Sequence, residues 1–266
     1  ENPYSYVAQR DTSGHGTLLA SISAGSYTDG YVGVAPGAEL LVVKLKQSKQ
    51  YLRDFFLIKD DVPAFEESDI MLALRFLEDN AIRLGKPLII IFGLGSANGS
   101  RTGASPLAEM MENLTKKPNI SVITCMGNEA NNKCHYKGAV MSALVPDVME
   151  INVDGTGKGF TMEIWADSLD ILSVSIESPS GEYVPRIPAR MGASMEYTFL
   201  YEGSTVTVDY QITENVAGME VIFVRLKTPV EGTWKFYIYS LTNIKGSYNA
   251  WLPLKQFSGQ DIYFLK

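Results

Sequence analysis

Near residue 147 the hydrophobic pattern of this chain changes period, and no single sheet or helix bundle accommodates both halves. Before that point, short runs of consecutive apolar residues alternate with segments of helical period. Residues 38–45, 87–95 and 119–127 ("AELLVVKL", "PLIIIFGLG", "NISVITCMG") are such runs, and each predicts a buried strand. Residues 68–85 place Ile70, Leu74, Leu77 and Ala81 on one helical face, with Ser68 as the expected cap and Gly85 as the stop. Residues 105–117 read as a further helix, capped by Ser105 with Pro106 in its first turn. Strands that are apolar on both faces and separated by helices belong to a parallel sheet. The expectation for residues 1–146 is an α/β domain, a parallel sheet with helices on both faces.

After residue 147, eight segments from "MEINV" to "SYNAWLPL" carry β-branched and aromatic residues, several with period two. Turn signals separate them: Asp154-Gly155, Ser180-Gly181, Glu202-Gly203 and Glu231-Gly232. No helical pattern stands out over 147–266. These residues are expected to form an antiparallel β-sandwich or jelly roll. Tyr197, Tyr201, Tyr210, Trp234, Phe236, Tyr237 and Tyr239 are assigned to its core or to cross-strand pairs.

Composition narrows the function classes. The net charge is −7 over 266 residues, which argues against nucleic acid or an anionic membrane as partner. The one basic cluster, at 44–49, is diluted by Leu45, Gln47 and Ser48 and reads as a solvated strand end. No run approaches the roughly 20 apolar residues of a membrane span, and "ENPYSYVAQR" lacks a signal-peptide pattern. The abrupt start and the strand-like "DIYFLK" at the end predict a fragment of a longer protein. Cys125, inside an apolar strand, is expected to be a buried free thiol. Cys134 beside His135 offers too few ligands for zinc, and "KDD" at 59–61 has no calcium-loop spacing. No metal and no cofactor is expected.

The chemistry gathers in "DTSGHGTLLASISAG", residues 11–25. Taken alone, His15 between two glycines is either a helix-start residue with a local hydrogen bond or a general base. A base needs one ring nitrogen free for a nucleophile's proton and the other held by an orienting group. The following Ala20, Ser21 and Ala24 suit close packing on a sheet. Thr12 or Ser13 is a candidate cap, and Asp11 reads as a loop or cap residue.

Three further segments follow in order: "GVAPGAELLVVKL" from Gly33, "IIIFGLGSANGS" and "VITCMGNEANN". With the Gly-His-Gly-Thr motif at 14–17 they resemble the subtilisin-like serine peptidases (subtilases, family S8). The resemblance implies a serine endopeptidase acting on polypeptide substrates through a Ser-His-Asp triad. It implies His15 as general base and Asn128 as the side-chain donor to the oxyanion. It implies that Gly93, Leu94 and Gly95 pair their main chain with an extended substrate. Cys125, Met126 and Gly127 would form a wall of the pocket for the residue before the scissile bond. This chain departs from the family at Gly93, where serine is usual, and at Cys125 and Met126, where small alanines are usual.

The family's aspartate lies on a strand well before the histidine, yet only 14 residues precede His15. The family's Gly-Thr-Ser does not occur, and "GASM" at 192–195 is followed by strand sequence. The resemblance therefore places the catalytic Asp and Ser outside this chain, with the remaining segments of the catalytic domain as partners and the fragment inactive alone. The β-rich half occupies the place between asparagine and serine. In this the chain is similar to the clostridial germination-type (Csp) subtilases, which carry a jelly-roll insertion there. That group includes members lacking triad residues, so a pseudoprotease or a peptide-binding module is the alternative expectation.

Overall fold

The computed structural model describes residues 5–166, 171–212, 218–241 and 246–265. The start of "ENPYSYVAQR" and Asp170 in "DILSVSIESP" lie outside the described residues. In chain order the helices are α1 (His15–Ala24), α2 (Gln50–Phe55), α3 (Glu67–Leu84) and α4 (Pro106–Thr115). The strands are β1 (Leu88–Phe92), β2 (Ile120–Thr124), β3 (His135–Val140), β4 (Asp147–Asp154), β5 (Gly159–Ala166), β6 (Leu172–Glu177) and β7 (Tyr183–Ile187). They continue with β8 (Ser194–Thr198), β9 (Thr205–Ile212), β10 (Glu220–Lys227), β11 (Gly232–Ser240), β12 (Gly246–Trp251) and β13 (Asp261–Phe264). The chain divides into two units. One comprises Glu1–Gln47, Phe65–Leu94 and Leu107–Cys125; the other comprises Ser48–Ala64, Gly95–Pro106 and Met126–Lys266.

In the first unit β1 and β2 pair in parallel, from Leu88 opposite Ile120 to Phe92 opposite Thr124. Leu74 and Ala81 of α3, Leu88 and Ile90 of β1, and Leu114 of α4 bury one another. The helical face expected for 68–85 is therefore the one that packs, because residues three and four apart share a side of the helix. On the other side of the strand Ile89 and Ile91 are 66% and 48% exposed. Gly85 ends α3 in the left-handed region at φ 63, as its place after the last apolar residue predicts.

Two local expectations fail in this unit. Ser68 does not cap α3: the N-cap is Glu66, without a side-chain cap bond. Instead Glu67 Oε1 accepts the Leu107 N–H at 3.0 Å, satisfying a first-turn donor of α4 and placing negative charge at its positive end. Residues 38–45 form no strand. An apolar run becomes a strand only where a partner's backbone groups lie alongside it, and among the described residues none does. Leu40, Leu41 and Val42 remain exposed, and Lys46 ends the stretch in an ion pair with Asp69 at 3.0 Å.

The second unit is a sandwich of a six-stranded sheet, ordered β3-β12-β5-β10-β9-β8, and a five-stranded sheet, ordered β13-β4-β11-β6-β7. Its described β pairings are antiparallel, and they nest: β3 with β12, β4 with β11, β5 with β10. Strands β3 to β6 alternate between the two sheets, which is a long hairpin rolled up, a jelly roll. Along β11, Trp234, Phe236 and Ile238 point into the core while Lys235, Tyr237 and Tyr239 point out, as period two requires. Tyr210, Trp234 and Phe236 are core residues, as expected; Tyr201 is exposed.

Strands β3 and β7 were not legible as strands in the sequence. The first of these lies before the change of period, because its outward residues are polar and it contains Gly138. A Cβ at Gly138 would run into the Tyr248 ring and the Asp147 carboxylate. There the Tyr248 and Tyr136 hydroxyls donate to Asp147 Oδ2 at 2.7 and 3.2 Å. Burial, and then Asp147, push the Tyr136 phenol up to about 12. Residues 48–64 also pack within this unit. Phe55 stacks on Phe223 at 5.6 Å, and the Arg225 guanidinium lies 4.7 Å over the Phe55 ring. Buried Arg53 donates to the carbonyls of Lys59, Asp60 and Val62 at 2.6, 3.0 and 2.8 Å.

Candidate active site

His15 is the first residue of α1, preceded by Gly14 in the left-handed region at φ 79. A residue with a side chain is strained at such an angle, so glycine is needed to turn the chain into the helix. The N-cap position is Gly14, and the side chain that satisfies the helix-start donors is that of Asp11, not Thr12. Its Oδ2 accepts the Thr17 hydroxyl at 2.7 Å and the Thr17 N–H at 2.9 Å. Its Oδ1 accepts the Gly14 and Ser13 N–H groups at 2.9 and 3.0 Å. The Thr17 hydroxyl, then the Thr17 and Gly14 N–H groups, hold the Asp11 carboxyl well below the usual carboxylate range. Asp11 thus serves the helix start, and Ser13 Oγ only adds a contact to the His15 N–H at 3.3 Å.

The His15 ring is exposed, and its Nε2 lies 3.0 Å from the Gly93 carbonyl oxygen. Among the described residues no carboxylate forms an ion pair with it. The Gly-Val-Ala-Pro segment closes the other end of α1. Gly33, Val34 and Ala35 donate their N–H groups to the Gly25, Ile22 and Ser23 carbonyls at 2.8, 3.0 and 2.8 Å. These include carbonyls that a helix end leaves unpaired. A Cβ at Gly93 would meet the end of the Leu19 side chain in α1, which would have to shift to admit it. The departure from the family's usual serine is thus matched by a leucine that fills the space.

Gly93 and Leu94 follow β1 in the first unit, and Gly95 opens the 95–106 loop of the second. Cys125 directly follows β2 and is exposed, which corrects the expectation of a buried thiol: it continues the outward face of the strand, in step with exposed Ser121 and Ile123, while Ile120 and Val122 turn inward. Met126 is 100% exposed. Gly127 turns the chain at φ 78, and Asn128 follows it, exposed. Ser194 and Met195 of "GASM" lie on β8, an edge strand of the sandwich.

Polar groups that no sequence pattern flagged sit close to these loops in the second unit. Glu163 Oε2 accepts the Gly99 N–H and the Trp165 indole N–H, both at 2.9 Å. Burial raises its pKa above the usual glutamate value against the pull of those donors and of Arg101. The Arg101 guanidinium lies 4.6 Å over Trp251, and desolvation lowers its pKa. Trp251 also stacks with His135 at 4.9 Å and 16°. The Cys134 thiol is pushed up by burial and then by Glu129, the opposite of what an activated thiolate needs. Among the described residues no group of three His, Cys, Asp or Glu stands close enough to hold a metal ion. Nor is any described helix long and apolar enough to cross a membrane.

A helix-start histidine in Gly-His-Gly-Thr, a Gly-Val-Ala-Pro segment closing that helix and a parallel strand pair define a known class. The model of the subtilase family (peptidase family S8) matches residues 1–152, more than half of the chain, and the chain belongs to that family. Among solved structures, the Clostridium perfringens CspB protease is similar over 100% of this chain, with a TM-score of 0.82 and 24% identity. At that identity the likeness establishes a shared fold. The match covers 54% of the CspB chain, so this chain spans about half the length of that relative. No curated protein matches it significantly.

Proposed function

We propose that this chain is part of a serine endopeptidase, with the catalytic Asp and Ser carried by segments outside it. The observation that supports this reading most directly is His15 at the head of α1, its ring 3.0 Å from the main chain of Gly93. The carbonyl can only accept, so Nε2 donates to Gly93 here, and the ring gives up this contact when that nitrogen takes a serine's proton. In the reaction the serine hydroxyl attacks the peptide carbonyl and His15 takes its proton. The absent aspartate orients and stabilises the imidazolium. The developing oxyanion accepts the Asn128 side-chain amide, and His15 returns the proton to the leaving amine. The Gly93–Gly95 main chain aligns the polypeptide, and Cys125, Met126 and Gly127 border the pocket before the scissile bond.

In this reading residues 1–146 are the partial catalytic domain and 147–266 the inserted jelly roll. The jelly roll draws β3 and the 48–64 and 95–106 segments to itself. The exposed Ile89, Ile91 and Ile123 on one face of the β1–β2 pair fit a domain completed by further segments, since apolar surface of this kind marks contact sites. A fluorophosphonate probe tests the proposal on the longer protein beside this chain. The longer protein is expected to label, His15→Ala to abolish labelling, and this chain alone to stay unlabelled. A folded longer protein that never labels overturns the peptidase reading in favour of a non-cleaving binding module.

A further inference from the structure

Glu163 and Trp251 face each other across β5 and β12 in the six-stranded sheet. Each holds a different part of the loops that lead out of the sandwich. Glu163 accepts the N–H of Gly99, where φ is +92 and the chain reverses. Two residues on, the Arg101 guanidinium covers the Trp251 ring. Trp251 also stacks with His135, the first residue after the loop that carries Asn128. His135 Nε2 is fixed in turn by Asn249 Oδ1 at 3.0 Å, also on β12. The Asn128 loop is tied at further points. Glu129 Oε2 accepts the Asn132 side-chain amide at 2.6 Å and the Lys255 N–H at 3.3 Å. Leu252 donates its N–H to the Cys134 carbonyl at 2.9 Å.

We infer that the Glu163–Trp251 cross-strand pair positions both loops, the one opening at Gly95 and the one carrying Asn128. On this assignment the jelly roll seats these two loops and is not a passive insert. A half-buried carboxylate that receives a loop N–H favours the geometry that satisfies that donor, so the loop is held by it. An aromatic ring in contact with both a guanidinium and an imidazole links the two loops through one side chain. Glu163, Arg101, Trp251 and His135 are positioning residues and take no part in proton transfer. The catalytic meaning of the inference rests on the peptidase reading; the seating of the loops does not.

Hydrogen exchange on this chain tests the seating without any activity. Glu163→Ala is expected to speed exchange in 95–106 by about tenfold, as loss of a charge-assisted bond implies. Exchange in β4 and β11 should stay at the wild-type rate. Glu163→Gln keeps a carbonyl acceptor and is expected to restore most of the protection. Trp251→Ala is expected to loosen both 95–106 and 126–134. Wild-type exchange in both loops for Glu163→Ala and Trp251→Ala overturns the inference, and so does an acceleration spread evenly through β4 and β11. In the longer protein Glu163→Ala is expected to raise KM several-fold with kcat nearly unchanged, and Trp251→Ala to lower kcat as well. An unchanged KM in the Glu163 variant counts against it. If the longer protein cleaves nothing, the peptidase reading fails while the exchange result still decides the seating.

Discussion

The two units solve the burial problem differently. The jelly roll closes on itself: more than two dozen apolar residues from both of its sheets form one cluster, among them Met149, Phe160, Trp234, Phe236 and Ala250. In the first unit five buried apolar residues form the cluster between one strand pair and two helices, and Ile89, Val42 and Val34 stay in solvent. Apolar burial contributes about 25 cal/mol per Å² removed from water, so the sandwich has much the larger source of stability. The half with the candidate base and substrate strand is the less self-sufficient one. The sandwich is the more fully buried half, and it supplies the hydrogen-bond and ring contacts of the 95–106 and 126–134 loops.

Core substitutions should widen this contrast most. Trp234→Ala removes a fully buried ring that donates to the Val230 carbonyl at 3.1 Å, and is expected to cost about 3–5 kcal/mol. Urea titration followed by far-UV circular dichroism measures this. Leu74→Ala, in the small core, is expected to fall near 2 kcal/mol, at the low end for such deletions, because half-exposed neighbours can relax into the space. Equal costs for the two would erase the distinction between the units.

A smaller effect sharpens the assignment of 48–64. Phe55→Ala breaks the stack on Phe223 and uncovers Arg225, and is expected to cost about 1 kcal/mol. The loss should appear as faster hydrogen exchange in β10, with β1 and β2 unaffected. If β1 and β2 respond instead, the segment belongs energetically with the first unit.

The smallest effect is local to α1. Folding depresses the Asp11 pKa through the bonds to Thr17 and Gly14. A depressed carboxyl contributes stability that is present above its unfolded pKa, near 3.9, and is lost as pH falls through the folded value. The Thr17 and Gly14 amide signals are therefore expected to hold their shifts at pH 4, where an ordinary aspartate is half protonated. They should move only in stronger acid. Asp11→Asn, which keeps one acceptor oxygen, should leave α1 formed but remove this acid transition. A shift centred near pH 4 would show that Asp11 is free of the helix.

Periodicity alone assigned α3, α4, β1, β2 and most of the sandwich, because a residue pattern with period 3.6 or two can bury its apolar face in only one conformation. The resemblance to the subtilases also pointed to His15 and Asn128, and the left-handed Gly85 was visible as a stop signal. Partnership was not legible. Residues 38–45 read as a strand, but strand formation needs a neighbour's backbone groups, and sequence does not say whether one arrives. Cys125 read as buried because the whole apolar run was taken as buried, whereas in period two it falls on the same face as exposed Ile123. Glu163, Arg101 and Trp251 carry no motif; they meet because β5 and β12, far apart in the chain, pair with Glu163 opposite Trp251. The sequence by itself determined the elements and the chemistry they bear. Only the tertiary structure decided which elements pair, that Asp11 rather than Thr12 satisfies the donors at the start of α1, and that the jelly roll anchors both loops, because hydrogen-bond partners and burial depend on what the rest of the chain brings alongside.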